Sequence, residues 1–136
     1  MVGWGKENAA LNDLSDRPIR WIIDDAMKFL KREVKRKSYY DGIILDPPSF
    51  GRGSQGQVFK IEEHLRQLLH LCVQSLSSRP SFLLLTSHTP GFTPFVLKHI
   101  FEDLFQHKGE VCVGEMVIPS ESSFSLPSGT YARWSP

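Results

Sequence analysis

The stretch Tyr40-Asp41-Gly42-Ile43-Ile44-Leu45-Asp46-Pro47-Pro48-Ser49-Phe50 decides how the rest of the sequence is interpreted. Its apolar run, Ile43 to Leu45, predicts a buried strand, which ends abruptly at an acid and two prolines. Neither proline has an amide hydrogen, so neither can extend a sheet ladder, and the Pro47 carbonyl is left pointing outward. The sequence therefore predicts a rigid group of hydrogen-bond acceptors, the Asp46 carboxylate and the Pro47 carbonyl, at the C-terminal end of a strand.

The aromatic ring of Phe50 follows these acceptors closely. Such an arrangement suits a planar ligand with an amino edge, because the acceptors take its N–H bonds while the ring stacks on its face. A purely structural interpretation is equally open: a strand stopped by prolines and followed by a core phenylalanine. The five residues from Asp46 to Phe50 do not decide between the two.

A longer stretch of the sequence favours the ligand interpretation. Asp46-Pro47-Pro48-Ser49-Phe50 resembles the (Asp/Asn)-Pro-Pro-(aromatic) signature of class I S-adenosylmethionine-dependent methyltransferases that modify nucleobases. The string Asp16-Arg17-Pro18-Ile19-Arg20-Trp21-Ile22-Ile23-Asp24-Asp25-Ala26 through Phe50-Gly51-Arg52-Gly53 resembles one branch, the ribosomal RNA large-subunit (cytosine-C5-like) methyltransferases. The similarity runs along nearly the whole chain, but only against the C-terminal part of the family's catalytic domain. Residues 1–136 are therefore expected to form one partial methyltransferase domain.

The resemblance implies a function and its partners. We expect an S-adenosylmethionine-dependent methyltransferase that acts on a nucleobase, with S-adenosyl-L-methionine as cofactor and ribosomal RNA as substrate. A second hypothesis stays open: a non-catalytic remnant or interaction module that keeps part of the fold without binding the cofactor.

Composition restricts the class of protein. The 136 residues are 40% hydrophobic and 23% charged, which suits one domain with a modest core. A net charge of +1 gives no general attraction to nucleic acid, so any RNA-binding surface has to be local. Cys72 and Cys112 have no metal-binding spacing, and we expect no metal site. No apolar run is long enough to span a membrane and the N-terminus has no signal-peptide layout, so we expect a cytoplasmic protein.

The order of elements predicts an α/β fold with a Rossmann-like, mostly parallel sheet and an antiparallel hairpin at its C-terminal edge. The predicted helices and strands alternate: the tail of a helix in Val2–Leu14, a strand at Ile19–Ile23, a helix from Ala26 to about Lys37 with Met27, Leu30 and Val34 buried, the strand at Ile43–Leu45, a helix at Ile61–Ser78, a fully buried strand at Ser81–Ser87, a helix from Thr93 that Gly109 stops, and strands at Glu110–Ile118 and Gly129–Trp134.

The family's sheet implies further parts. A class I methyltransferase needs a strand running into a glycine-rich turn for the cofactor's amino-acid portion, and a second strand ending in an acid for the ribose. No stretch of this sequence supplies either. In the family's sheet these two strands lie between the ones matching Ile19–Ile23 and Ile43–Asp46. We therefore expect an N-terminally truncated sheet with an open edge, completed by an N-terminal segment or a partner chain.

Asp25 and Ala26 are the expected cofactor contacts at the start of a helix. An acid in this position can cap the helix amides or accept a hydrogen bond from the cofactor's amino group. In the methyltransferases that the chain resembles, the Asp before Ala holds the adenine, which favours the cofactor role for Asp25. Asp46 is also expected to contact the cofactor. The predicted catalytic group is Asp46 with Pro47, Pro48 and Phe50.

The substrate side is expected to include Phe50, Arg52, Ser87 and His88. The glycines of Gly51–Gly56 formally match G-x-G-x-x-G, but prolines separate them from the strand, so we interpret them as a mobile loop with Arg52 available to a phosphate. Ser87 and His88 follow a strand of the predicted parallel sheet, and sites gather at the C-terminal ends of such strands.

The position of the cysteines bears on the mechanism. Methylation of cytosine C5 needs a thiolate that first adds to the ring. In C5 members a cysteine follows the strand equivalent to Ser81–Ser87, whereas Thr86-Ser87-His88 stands there in this chain. Cys72 is predicted to lie mid-helix and Cys112 mid-strand, away from the site. Cys72 belongs to the core-facing stripe of its helix, which comprises Ile61, Leu65, Leu68, Leu69, Cys72, Val73 and Leu76. Methylation of a base nitrogen needs only acceptors, positioning and the sulfonium donor.

The helix after Asp25 carries a basic run whose role stays open. Its cations suit the negative end of the helix dipole as a solvated face, which is the simpler interpretation, or they contact RNA phosphates. The run comprises Lys28, Lys31, Arg32, Lys35, Arg36 and Lys37.

Overall fold

The structure is a computed structural model that describes residues 2–53, 56, 58–121 and 123–136. Its elements in chain order are α1 Val2–Leu11, α2 Ala26–Arg36, β1 Gly42–Leu45, β2 Phe50–Arg52, β3 Val58–Lys60, α3 Ile61–Gln74, β4 Phe82–Ser87, α4 Pro94–Leu104, β5 Glu110–Ile118 and β6 Leu126–Ser135. Four strands form one sheet in the order β1-β4-β6-β5, and β2 pairs with β3 separately. β1 and β4 are parallel, while β6 runs antiparallel to both β4 and β5. The predicted α/β class with an antiparallel C-terminal hairpin is confirmed. The sheet was also expected to be mostly parallel, but among the described strands only β1 and β4 are parallel, because the C-terminal hairpin supplies the other two pairings.

The core lies on one face of the sheet. Leu83 and Leu85 of β4 are buried there, and the register places Leu83 opposite Trp134 and Leu85 opposite Ala132 of β6. All three helices α2, α3 and α4 contribute to the same cluster, through side chains that include Leu30, Leu65, Leu69, Leu97 and Phe101. The helices thus cover the face that carries the odd-numbered residues of β1 and β4.

The other face of the sheet is not covered to the same extent, and this corrects two predictions. β4 was expected to be buried on both sides, but buried and half-buried residues alternate along it. The strand from Ile43 to Leu45 was also expected to be buried, but Ile44 is 68% exposed. Both sequences are continuously apolar, and continuous apolarity indicates two-sided burial only where a second layer packs on the sheet.

Residues Ile19–Ile23 do not form the predicted strand. The segment has no ladder partner among the described residues, and Ile23 is 87% exposed. An apolar, β-branched segment becomes a strand only when a neighbouring strand accepts its backbone hydrogen bonds. β1 pairs with β4 alone among the described strands, so the expected open edge of the sheet is at β1.

A buried carboxylate on α2 was not predicted. Leu30 is buried as expected and Met27 packs half-buried against the core, but the next fully buried residue is Glu33 and not Val34. The Tyr40 hydroxyl donates to Glu33 Oε2 at 2.5 Å, and Arg36 lies 3.4 Å from Oε1. These donors hold the pKa of Glu33 below its usual value, while burial and the bond to Glu33 raise the pKa of Tyr40 to about 12.

Helix α3 forms the centre of the helical layer. Ile61, Leu65, Leu68, Leu69 and Cys72 are its buried residues, as the sequence predicts, although the helix ends at Gln74 and not at Ser78. The Ser75 hydroxyl donates to the Leu71 carbonyl at 2.9 Å in the last turn. Cys72 is 0% exposed, and burial raises the pKa of its thiol to about 12. The predicted core position of this cysteine is confirmed.

The remaining boundaries differ little from the predictions. The Thr93 hydroxyl caps α4 by accepting from the Val96 amide at 3.3 Å, with Pro94 as the first helical residue. β6 begins at Leu126, three residues before the predicted start at Gly129, and α1 ends at Leu11. In the part of the chain that the structure describes, no helix has both the length and the apolar character that crossing a membrane requires.

Candidate functional site

A cavity of about 550 Å³ opens at the C-terminal end of β1. It is bounded by the first turn of α2, the end of β1, the β2–β3 hairpin and α3. Six of the predicted site residues line it: Asp25, Ala26, Asp46, Pro47, Pro48 and Arg52. The fold therefore places the expected cofactor contacts and the Asp-Pro-Pro sequence in one cavity, although helix α2 and strand β1 separate them along the chain.

Asp46 is held by the neighbouring strand. The Thr86 hydroxyl donates to Asp46 Oδ1 at 2.7 Å and lies 3.3 Å from the Leu45 carbonyl. His88 Nε2 lies 3.7 Å from the same carboxylate oxygen. These contacts follow from the parallel register, which pairs Leu45 with Leu85 and so brings the residues after each strand together. The Asp46 side chain remains 64% exposed and is thus accessible to a ligand.

The loop after β1 is attached at two further points. The side-chain hydroxyls of Ser49 and Thr89 are 2.7 Å apart, and the Ile61 amide donates to the Ser49 carbonyl at 3.1 Å. Because Thr89 follows β4 and Ile61 begins α3, the Pro47–Pro48 segment is fixed between two elements of the core.

Phe50 and Arg52 lie on a hairpin, where the sequence predicted a loop. Phe50 pairs with Lys60 and Arg52 with Val58 in the antiparallel β2–β3 ladder. Ser54 and Gln55 of the predicted Gly51–Gly56 loop are outside the described residues. The Arg52 guanidinium carbon is 5.7 Å from the centre of the Phe50 ring, a cation–π distance. Phe50 is 51% exposed but does not line the cavity, so a ring stacked on it would lie at the rim.

Ser87 is not placed as expected for a substrate contact. It is 1% exposed, on the core face of β4, and its hydroxyl accepts from the Thr89 amide at 3.3 Å. The error has a simple cause, since alternation along a strand points Ser87 and its neighbours to opposite faces. His88 is exposed and lies beside Asp46, in agreement with its predicted location.

Gly129 of β6 packs closely against the end of β4. It has φ +101°, and a Cβ built on it would lie 2.5 Å from the Ser87 carbonyl oxygen and 2.9 Å from His88 Nδ1. Only glycine accommodates both the positive φ and this approach. β6 therefore supports the backbone on which His88 is carried.

Asp25 caps helix α2 and also lines the cavity. Its Oδ1 accepts from the Lys28 amide at 2.8 Å, and its own amide donates to Asp24 Oδ1 at 2.8 Å. Asp24 forms an ion pair with Arg32, which holds the pKa of Asp24 below its usual value. The structure thus shows the capping role of Asp25. The cofactor role is compatible with it, because a carboxylate has a second oxygen.

The basic run on α2 comprises six residues, two of which form described ion pairs. Arg32 and Arg36 pair with acids of the same chain, Asp24 and Glu33. Two others, Lys28 and Lys31, line the cavity. Both lysines are exposed, so the solvated-face interpretation and contact with phosphate both remain open for them.

Neither cysteine lines this cavity. Cys72 is in the core, and Cys112 Sγ lies 3.8 Å from the Tyr131 hydroxyl on the hairpin β5–β6. Among the described residues, no group of three or more His, Cys, Asp or Glu side chains could hold a metal ion.

Comparison with known proteins places this geometry in context. The structure superposes with a SAM-dependent methyltransferase from Agrobacterium tumefaciens over 99% of its length, with a TM-score of 0.92 and 37% sequence identity. The fold is that of part of a methyltransferase domain. The sequence is also 32% identical over 78 residues to the ribosomal RNA large subunit methyltransferase K/L of Shewanella sp. (strain ANA-3), so the resemblance to this family is confirmed.

The matches cover only part of each relative. The chain spans 46% of the Agrobacterium methyltransferase, and its matched segment, 56% of the chain, spans 11% of the Shewanella protein. Precorrin 8W decarboxylase from Methanobacterium thermoautotrophicum has a TM-score of 0.62 at 12% identity, which shows the shared fold alone. No family model matches the sequence.

Proposed function

We propose that this chain is part of the catalytic domain of an S-adenosylmethionine-dependent methyltransferase that modifies a nucleobase, with ribosomal RNA as its substrate. The observation that carries the proposal is the Asp46 carboxylate, which is fixed by Thr86 in the cavity that also contains Asp25. The RNA target rests on the name of the Shewanella relative. Such a substrate also fits the expected cytoplasmic location.

The residues of the cavity fit the proposed cofactor. Asp25 has the acceptor for an adenine amino group, and Asp46 contributes a second negative charge to the same cavity, which suits a cationic sulfonium. When bound, S-adenosyl-L-methionine supplies the electrophilic methyl group. Asp25, Ala26 and Asp46 are the residues that we expect to hold it.

The chain's own residues then position the base. Asp46 and the Pro47 carbonyl accept hydrogen bonds from its amino group and orient the nitrogen lone pair toward the methyl donor. The exposed ring of Phe50 stacks on a base at the rim, and Arg52 contacts a phosphate nearby. Because both described thiols lie away from Asp46, we propose a base nitrogen as the methyl acceptor and not cytosine C5.

We further propose that a segment outside these residues completes the sheet. The edge of β1 is unpaired among the described strands, and Ile44 on the uncovered face and Ile23 before α2 are exposed. Strands inserted beside β1, from an N-terminal segment or a partner chain, would pair with the backbone of this edge and cover the exposed side chains. The part of the Agrobacterium methyltransferase outside the matched 46% is the available model for such a segment.

Calorimetric titration with S-adenosyl-L-methionine tests the completed site. We expect no binding to the 136-residue chain alone at micromolar concentrations, because the contacts to the ribose and the amino-acid portion are lost. Each lost buried or charged hydrogen bond costs roughly 1.5–3 kcal/mol. Adding the complementary part of the Agrobacterium protein should restore binding. A complex that forms but binds no cofactor would favour the non-catalytic interaction module.

The restored complex is this chain together with the complementary part of the Agrobacterium protein. Methyl transfer to ribosomal RNA by this complex tests the role of Asp46. Asp46→Ala should raise the barrier by about 2–4 kcal/mol and change cofactor affinity much less. Asp16→Ala, a charge change outside the cavity, is the matched control and should leave turnover unaltered. Wild-type turnover by Asp46→Ala would refute the proposed function.

A further inference from the structure

Thr86 is the one donor that the structure places within hydrogen-bond distance of the Asp46 side chain among the described contacts. Its hydroxyl has a single proton and two nearby acceptors, Asp46 Oδ1 at 2.7 Å and the Leu45 carbonyl at 3.3 Å. Hydrogen bonds to an ionised acceptor are shorter and stronger than those to a neutral one. The proton is therefore donated to the carboxylate.

The two contacts of the Asp46 side chain fall on the same oxygen. His88 Nε2 is 3.7 Å from Oδ1, too far for a hydrogen bond, so within the described part of the chain Thr86 is the residue that fixes the geometry of that oxygen. Packing cannot fix the carboxylate instead, because the side chain is mostly exposed. The orientation of Asp46 thus depends on a hydroxyl at the end of the neighbouring strand.

We propose that Thr86 is a positioning residue, which holds Asp46 in one rotamer so that Oδ2 is the oxygen presented to the amino group of the base. The expected effect on catalysis rests on the proposed function, whereas the contact between Thr86 and Asp46 does not. An exposed aspartate without a partner samples several staggered rotamers. A displacement of about 1 Å at a reacting group can lower a rate by on the order of a hundredfold.

The rotamer itself is measured by NMR on the intact chain. Three-bond couplings to Asp46 Cγ should report one χ1 rotamer in the wild type and in Thr86→Ser, which keeps the hydroxyl. In Thr86→Val, which keeps the shape, they should report averaging over rotamers. Thr86 lies on the half-buried face of β4, so both variants should keep the wild-type thermal transition. Averaged couplings in the wild type, or one fixed rotamer in Thr86→Val, would overturn the proposal.

The effect on catalysis is measured in the complex of this chain with the complementary part of the Agrobacterium protein. Thr86→Val should lower kcat by about tenfold to a hundredfold with unchanged affinity for S-adenosyl-L-methionine, and Thr86→Ser should recover most of the rate. If Asp46→Ala lowers turnover but Thr86→Val does not, the positioning role is wrong and the proposed function stands. If Asp46→Ala is fully active, the proposed function is wrong, and the NMR couplings still decide whether Thr86 orients the side chain.

Discussion

The side-chain hydroxyls of Ser49 and Thr89 lie 2.7 Å apart and join the loop after β1 to the loop after β4. The Ser49 carbonyl also accepts from the first amide of α3. Through this pair, the Asp-Pro-Pro segment is joined to the residues that follow β4. Asp46 begins that segment and Thr86 lies at the end of β4, so the contact supports the proposed site.

A double-mutant cycle measures this contact. Ser49→Ala and Thr89→Val should each lower the free energy of unfolding, and the double variant should lose less than the sum, with a coupling of about 0.5–1.5 kcal/mol. Urea denaturation gives the change in unfolding free energy of each single variant and of the double variant relative to the wild type. Strictly additive effects would show that the two hydroxyls do not interact in solution.

The capping role of Asp25 and its proposed cofactor role are separable by two substitutions. Asp25→Ala removes the cap of α2 and should cost about 1 kcal/mol of stability. Asp25→Asn keeps a capping oxygen and should leave the unfolding free energy nearly unchanged, while it weakens cofactor binding in the restored complex because the negative charge is lost. Denaturation and calorimetry on both variants are the measurements. Equal cofactor affinity in Asp25→Asn and the wild type would leave Asp25 with the capping role alone.

Gly129 tests whether β6 supports the position of His88. Gly129→Ala introduces a Cβ at 2.5 Å from the Ser87 carbonyl oxygen, at a φ of +101°. Gly91→Ala is the matched control, since Gly91 has φ +90° but no heavy atom within 4 Å of the added Cβ. We expect both to be destabilised by the backbone conformation, and Gly129→Ala by about 1–3 kcal/mol more because of the clash. NMR shifts of the His88 ring should change in Gly129→Ala only. Equal losses in the two variants would contradict the close packing.

The Glu33–Tyr40 pair predicts how stability depends on pH. The pKa of Glu33 is lowered on folding, so its contribution is present above the ordinary value of 4.5 and is lost as the pH falls below it. The pKa of Tyr40 is raised from 10.0 to about 12, so its contribution is lost as the pH rises through that interval. Tyr40→Phe should reduce the dependence of stability on pH at both the acidic and the alkaline end of the range. Thermal denaturation from pH 3 to pH 11 measures this, and an unchanged slope at both ends would show that the pair does not form.

The sequence predicts well those features that are set by neighbouring residues. Two prolines end β1 after Leu45, and the apolar stripe of α3 places Cys72 in the core. The motif at Asp46 and the acid at the start of α2 were predicted to belong to one site, and the cavity contains both. The end of β1 and the position of Cys72 are determined within one strand end or a few helical turns, whereas the common site of Asp25 and Asp46 followed from the resemblance to the methyltransferases.

Features that depend on distant residues were not predicted. Residues Ile19–Ile23 have the pattern of a strand, but a strand also needs a neighbour, and the local pattern does not provide one. The exposure of Ile44 likewise depends on what packs on the second face of the sheet. The contact between Thr86 and Asp46 depends on the register of β1 against β4, which joins positions 40 residues apart.

Because Cys72 is buried, the reactivity of its thiol reports unfolding of the chain. Its thiol is enclosed by α3 and its neighbours, whereas Cys112 lies half-buried on the edge strand β5. An alkylating reagent should therefore modify Cys112 at a rate set by local motion of the hairpin, and Cys72 only when the helical layer separates from the sheet. The ratio of the two rates compares local motion at the edge strand with cooperative opening of the core, in one sample and without engineered cysteines.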